Sequence, residues 1–256
     1  AEALVARVGR LLAARGMAPF REVSIEVIGA EDTYGANARV SEAREVVVKI
    51  GLRHDDARAL DLFAREFAHP GVAMAQGLTG VLHGRPKPVP VLKVHSFLWP
   101  KEKVPVEVLV DGASLPVAVA SRAEAPAPPP HRAPPAVDGP TVAVPLRALA
   151  WGRSGDKGNH ANIGVKAREA RFLPYIRAAL TPDVVAGHFR HFGVGEVRRY
   201  ELPGIHALNF LLEDVLGGGG IASLRNDPQA KGFGQMLADY PVPVPPELAA
   251  GSFAPR

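Results

Sequence analysis

Two short stretches hold most of the residues that could do chemistry. The first, residues 151–165 (WGRSGDKGNHANIGV), carries Arg153, Ser154, Asp156, Lys157, Asn159, His160 and Asn162 among Gly152, Gly155 and Gly158. Glycines let a backbone adopt positive φ and bring its N–H groups close to a ligand, while one carboxylate and two cations can hold or polarise an anionic or carbonyl group. The second, residues 217–234 (GGGGIASLRNDPQAKGFG), sets Ser223, Arg225, Asn226, Asp227, Gln229 and Lys231 behind four successive glycines. A glycine run costs conformational entropy and is a poor choice for a simple connection. Its end reads as a helix start, with Asn226 or Asp227 as cap and Pro228 in the first turn. Free N–H groups and the helix dipole would favour a phosphate or carboxylate there, beside Arg225 and Lys231. Neither GxGxxG nor GxxxxGKS/T occurs, which argues against a Rossmann or Walker nucleotide site. Ser154 and Ser223 lack the GxSxG setting of a hydrolase nucleophile. His188 and His191 have HxxH spacing but no companion ligand, and read as a pair at a helix end.

These stretches need elements to position them. Val142, Val144, Leu146, Leu149 and Trp151 run up to the first, and Ile163 and Val165 run away from it, so it reads as a polar loop between two strands. A helical region follows from Glu169, broken near Thr181-Pro182, which resemble the cap and first residue of another helix. Strands over residues 197–202 and 207–213, joined by Pro203-Gly204, lead to the glycine run and a last helix. Paired strands separated by helices predict an α+β fold with a mainly antiparallel sheet.

The first half of the chain shows an amphipathic helix over residues 3–15, with Leu4, Val8, Leu11 and Leu12 on one face and Gly16 as its stop. A strand around Val23 and Ile25 ends in GAEDTYGANA, a capped turn. A half-buried strand follows over residues 46–52, then a helix capped by Asp55 or Asp56 that presents Leu60, Phe63, Ala64 and Phe67 and ends at His69-Pro70. Residues 91–99 and 104–110 read as two strands around Pro100-Lys101-Glu102 that close this domain's sheet. Proline and alanine then dominate residues 124–140, a semi-rigid linker. The expected organisation is residues 1–123, α/β or α+β and the end of a larger domain, then the linker, then residues 141–256.

The chain has 256 residues and 47% hydrophobic content, enough for one large or two small cores. A formal charge of +4 comes from 30 basic against 26 acidic residues scattered without a basic run, so no nucleic-acid footprint is read. Zero cysteines exclude disulfides, thiolate metal sites and a cysteine nucleophile, and fit a cytoplasmic protein. No signal peptide or membrane span is read.

RSGDKGNHANIGV, ALNFLLEDVLGGGGIASLR and DPQAKGFGQMLAD, in that order and separation, resemble the C-terminal domain of the acyclic terpene utilisation protein family. IGAEDTYGANA, GRPKP and FLWPK resemble the closing part of the family's N-terminal domain. Where the family pattern more often has GDKGD, this chain has Asn159, so a second carboxylate is absent. The family's long α/β beginning is not in this sequence, which is therefore expected to be a fragment, a processed chain or one half of a split protein.

The resemblance implies a ferredoxin-like second domain and a role in citronellol and geraniol catabolism. One implied activity is a lyase splitting a 3-hydroxy-3-alkylglutaryl-CoA-type intermediate. A retro-aldol cleavage needs a base for the hydroxyl proton and donors for the departing enolate. Asp156 is the candidate base, with Lys157, Arg153 and Asn162 stabilising charge. Ser154, Asn159, Gly218, Gly219, Gly220, Ser223, Arg225, Asp227 and Lys231 are the candidate substrate-binding residues. The alternative is a non-catalytic module that binds acyl-CoA or a partner subunit. No cofactor is expected beyond acyl-CoA as substrate, no metal ligand is assigned although a metal stays open, and the expected partners are a second copy or the upstream region.

Overall fold

The computed structural model describes residues 1–40, 42–80, 84–118 and 139–249. Most of the expected linker, residues 124–138, lies outside the described residues.

In the N-terminal part, α1 (Glu2–Ala14) buries Leu4, Val8 and Leu12. The apolar spacing of four residues puts these on one face, and Gly16 at φ +66° follows the helix end. Strands β1 (Glu22–Ile28) and β2 (Val47–Arg53) pair antiparallel from Glu22 opposite Arg53 to Ile28 opposite Val47. Between them Asp32 accepts the Val27 N–H at 2.6 Å, and Glu31 accepts the Arg39 and Val40 N–H groups, which makes GAEDTYGANA the capped turn its sequence predicts. In α2 (Ala57–Glu66), Asp56 caps the first turn by accepting the Arg58 N–H, and Phe63 packs with Leu4, Val8, Leu12 and Ala59 in a small core. A short helix, α3 (Pro70–Ala73), begins at the proline that ends the sequence pattern.

The strand expected over residues 91–99 is absent, which corrects the sequence reading. The hairpin lies one step later, as β3 (Glu107–Val110) and β4 (Ala113–Pro116). Its turn is Asp111-Gly112, with φ +49° and +82°. Two successive positive φ values match the twist of a two-residue hairpin, and Asp-Gly is among its preferred sequences. Nor does this pair close the first sheet: β3 pairs only with β4 among the described strands.

The C-terminal part holds the main core. Strand β5 (Val142–Pro145) runs into α4 (Leu146–Leu149), then β6 (Ala150–Lys157) and β7 (His160–Ala167). Helices α5 (Leu173–Ala179) and α6 (Pro182–His188) follow, with Thr181 capping α6 by accepting the Val184 N–H. Then come β8 (Val197–Leu202), β9 (Ala207–Leu212), α7 (Phe233–Ala238), β10 (Pro241–Val244) and α8 (Pro246–Ala249). The antiparallel sheet has the order β6-β7-β9-β8. Strand β10, which follows the last core helix, pairs with β5 and leaves the outer position beside β7 to β6.

Alternation gives this sheet two unlike faces. Ala161, Ile163, Val165, Leu208, Phe210 and Leu212 are buried on one, in a core with Phe172, Ile176, Phe189 and Phe233. The rings of Phe189 and Phe192 stack on Phe233 at 4.8 and 4.7 Å. The other face is exposed, with Trp151 at 52% and Tyr200 at 46%. No helix among the described residues is long and apolar enough to cross a membrane.

The two parts meet through side chains that grip main chain. Asn37 donates to the His188 carbonyl at 3.0 Å, Lys49 to the Leu224 carbonyl at 2.6 Å, and Arg53 to the Ala222 carbonyl. The His191 ring reaches the Thr33 carbonyl at 3.0 Å, and Glu26 accepts the Asn226 N–H at 3.0 Å.

Candidate functional site

The polar stretch 151–165 forms a tight hairpin where the sequence predicts a long loop: β6 and β7 pair from Ala150 opposite Ala167 to Lys157 opposite His160, leaving only Gly158 and Asn159 in the turn. This fixes where every candidate side chain points, because successive residues of a strand face opposite ways and directly paired residues share a face. Trp151, Arg153 and Lys157 lie on the exposed face, with His160, Asn162, Gly164 and Lys166 opposite them. Asp156 and Ser154 point to the other side, with Ala161 and Ile163. The candidate base and the candidate charge stabilisers are therefore on opposite faces of the β6–β7 hairpin, which separates the constellation drawn from sequence. Asp156 itself is partly buried, and its carboxylate has no hydrogen bond or ion pair among the described residues.

On the exposed face a polar ladder crosses three strands. Lys157 Nζ donates to Asn162 Oδ1 at 3.1 Å, and Asn162 Nδ2 donates to Asn209 Oδ1 at 3.0 Å.

Ser154 is buried and committed to structure. Its hydroxyl donates to the Ala230 carbonyl at 2.6 Å and accepts the Gly234 N–H at 2.7 Å, which fastens the start of α7 to β6. The close approach uses two glycines: a side chain on Gly152 would meet the Gly234 carbonyl at 3.2 Å, and one on Gly234 would meet the Arg153 nitrogen at 3.3 Å. Ser154→Ala strands the Gly234 N–H and leaves the Ala230 carbonyl with only the longer bond from the Phe233 N–H, 3.3 Å, so it is expected to cost about 1–3 kcal/mol. A thermal melt of the variant showing no loss would remove this clamp from the account.

The second polar stretch closes on the tip of the hairpin. Asn159 Oδ1 accepts the Gly218 N–H at 2.6 Å, its Nδ2 donates to Asp214 at 2.9 Å, and its carbonyl accepts the Leu216 N–H at 3.1 Å. All four glycines of the run have positive φ: +61°, +103°, +73° and +49° for Gly217 to Gly220. That is the region closed to most other residues. The N–H groups of Gly218, Gly219 and Gly220 go to Asn159, the Leu216 carbonyl and the Pro228 carbonyl, so they shape the loop instead of offering a free anion cradle.

The helix expected at Asp227-Pro228 begins instead at Phe233 and is six residues long. Asp227 accepts the Lys231 and Gly232 N–H groups, both at 2.8 Å, and so caps a turn ahead of the helix. Ser223 accepts the Arg225 N–H at 3.2 Å. Arg225 reaches inward to the Val215 and Phe192 carbonyls, and burial pushes its guanidinium pKa down.

Arg153, Ser154 and Lys231, alone among the candidates, line a common cleft of about 460 Å³ at the free edge of β6. Arg147, Trp151, Gly152, Arg168 and Gln235 also line it. Arg147 is paired with Asp239, but Arg153, Arg168 and Lys231 have no carboxylate partner among the described residues. Arg168 lies over the Trp151 ring at 4.8 Å and Lys166 at 5.8 Å. Sequence reasoning missed Arg147, Trp151 and Arg168 as site residues. The available signal was the period-two spacing of Trp151 and Arg153.

A larger cleft, about 960 Å³, lies in the N-terminal part between the end of α1 and the start of α2. Its Arg21 is paired with Asp55 and its Arg58 with Asp56, whose carboxyl the hydrogen bond from Arg58 holds down at about 2. Arg15 and Arg65 line it as well, without a carboxylate partner among the described residues, but no residue of either polar stretch does, which makes it the weaker candidate. Burial lowers the pKa of His188, which contacts the Met236 carbonyl at 3.3 Å. No group of three or more His, Asp or Glu among the described residues is placed to hold a metal ion.

Fold and site together define an α+β protein whose C-terminal unit is a ferredoxin-like antiparallel sheet with a cationic cleft along one edge. Residues 144–243 match the family model of the AtuA ferredoxin-like domain, and residues 1–110 match that of the acyclic terpene utilisation family protein AtuA. The two matches together make this an AtuA-like chain. No curated protein and no solved structure matches it.

Proposed function

We propose that this chain binds an anionic acyl-CoA intermediate of acyclic terpene breakdown at the β6-edge cleft, and that binding, more than bond cleavage, is its own contribution. One observation carries the reading: three cations, Arg153, Arg168 and Lys231, line a single cleft, and no carboxylate among the described residues neutralises them. Unpaired cations held together repel one another, and a polyanion relieves that repulsion. The family gives the metabolic setting, and a CoA thioester carries the phosphates such a cleft suits.

A carbon–carbon lyase asks for a base on the same side as these cations. Asp156 points the other way, and His160, which shares the exposed face, accepts the Asp214 N–H on Nδ1 at 3.0 Å, so its remaining ring nitrogen is a donor in the neutral form. Calorimetric titration with CoA and with a branched acyl-CoA tests the reading. The expected result is binding that weakens as salt is raised, with Arg153→Glu lowering affinity at least tenfold, ~1.4 kcal/mol or more. Heat-silent titrations would reject it, and a product released from the thioester would return the lyase to first place.

A further inference from the structure

We infer that the β6-edge cleft is a nucleotide subsite, in which a purine ring lies on Trp151 and its phosphates are held by Arg153, Arg168 and Lys231. The identity of the whole ligand rests on the acyl-CoA reading, but the nucleotide assignment is argued from the cleft alone.

Trp151 is the only aromatic residue lining the cleft among the described residues, and 52% of it is exposed. It stands on the outer face of a sheet, where Arg168 and Lys166 approach its ring. An exposed indole flanked by cations offers a planar base a stacking surface and offers its phosphates their counter-charges at the same place. The three unpaired cations favour more than one negative charge, which a nucleoside bisphosphate supplies and a carboxylate does not. The volume, about 460 Å³, falls within the range of small-molecule sites.

The sheet also gives the ligand a direction. From Trp151 to Lys157 the exposed face of β6 runs over seven residues, about 20 Å of extended strand. Gly164 on β7 leaves that track low between its ends, and Lys231 Nζ stands over Gly155 on β6, 3.5 Å from where a side chain would begin. A base on Trp151 would send an extended phosphopantetheine arm along it toward Lys157, Asn162 and Asn209, whose linked amides and ammonium could meet a thioester carbonyl.

The test follows Trp151 fluorescence in a Trp99→Phe background, titrating adenosine 3′,5′-bisphosphate, pyrophosphate and pantetheine separately. The bisphosphate is expected to quench and pantetheine alone to leave the signal unchanged. Binding followed by calorimetry should weaken at least tenfold for the bisphosphate in Trp151→Leu, stay within a fewfold in Trp151→Phe, and be unaltered for pyrophosphate in both. Because Trp151 is exposed, an unchanged melting temperature confirms that each variant folds. Equal affinities for bisphosphate and pyrophosphate that ignore Trp151→Leu would overturn the base subsite, as would binding of neither. Acyl-CoA binding that persists undiminished in Trp151→Leu and Arg168→Glu overturns this assignment while leaving the acyl-CoA reading intact. Bisphosphate bound without any acyl-CoA binding supports the subsite and ends the acyl-CoA reading.

Discussion

Gly219→Ala is expected to lower the stability of the C-terminal unit by roughly 3 kcal/mol. Two costs combine. Gly219 has φ +73°, and a Cβ there would stand 2.0 Å from the Gly158 carbonyl oxygen and 2.7 Å from its carbon. The first obstacle is conformational: with ψ 156° this is a region open to little but glycine, and a side chain there costs about 1–3 kcal/mol. The second forces two backbones apart at the junction of the hairpin tip and the glycine run, where overpacking typically adds about 1–3 kcal/mol. Gly220→Ala is the matched control: its φ is +49°, but nothing lies within 4 Å of its added Cβ, so only the first cost applies. Denaturant midpoints for the pair decide the matter. Equal losses would show that the close approach contributes nothing.

Glu201→Gln is expected to cost a similar amount, roughly 3 kcal/mol, through charge. Glu201 on β8 accepts three hydrogen bonds from Arg177 on α5, at 2.8 to 3.1 Å, and stands 3.5 Å from Arg199 Nε. The three side chains are only 15%, 10% and 20% exposed for Arg177, Arg199 and Glu201. Arg199 also donates to the Arg177 and Leu180 carbonyls, its Nε has no hydrogen bond, and burial lowers its pKa. Neutralising the carboxylate leaves two largely buried guanidinium groups facing each other. Replacing the charged trio with apolar residues should recover part of the loss, because the desolvation cost disappears with the charges. A loss below about 1 kcal/mol for Glu201→Gln would place the trio with ordinary surface pairs.

Local signals in the sequence were the readable ones. The stripe of Leu4, Val8 and Leu12 and the caps Asp56 and Thr181 each act within a turn or two, and all stand where their spacing puts them. The failures involve signals with two meanings. An aspartate ahead of an apolar run caps a helix or a turn, and Asp227 caps a turn because the chain still had to pass Ser154 before α7 could begin. Residues 151–165 read as a loop because the exposed face of the hairpin carries charge, while Gly152, Ser154 and Asp156 occupy the inward positions of β6 and hide its alternation. Residues 91–99 have the composition of a strand but no partner, whereas Asp111-Gly112 sets its hairpin locally. Legibility of the site was lowest. The proximity of Asp156 and Lys157 in sequence suggests one reaction centre, yet neighbours on a strand are on opposite sides of a sheet. Arg147 and Arg168 lie outside both polar stretches and reach the cleft only through the pairing of Ala150 with Ala167, which brings the chain on either side of the hairpin together.

The union of the two parts is addressed largely to peptide groups. Asn37, Lys49, Arg53 and His191 each meet a carbonyl, and a carbonyl is the same whatever side chain its residue bears. Exchanges at Leu224 and Ala222 that fit their packed surroundings therefore leave what Lys49 and Arg53 read unaltered, while a change at either reader is felt at once. Across descendants of this sequence, substitutions at the seam should accumulate unevenly, sparing the side that reaches and collecting on the side that is held.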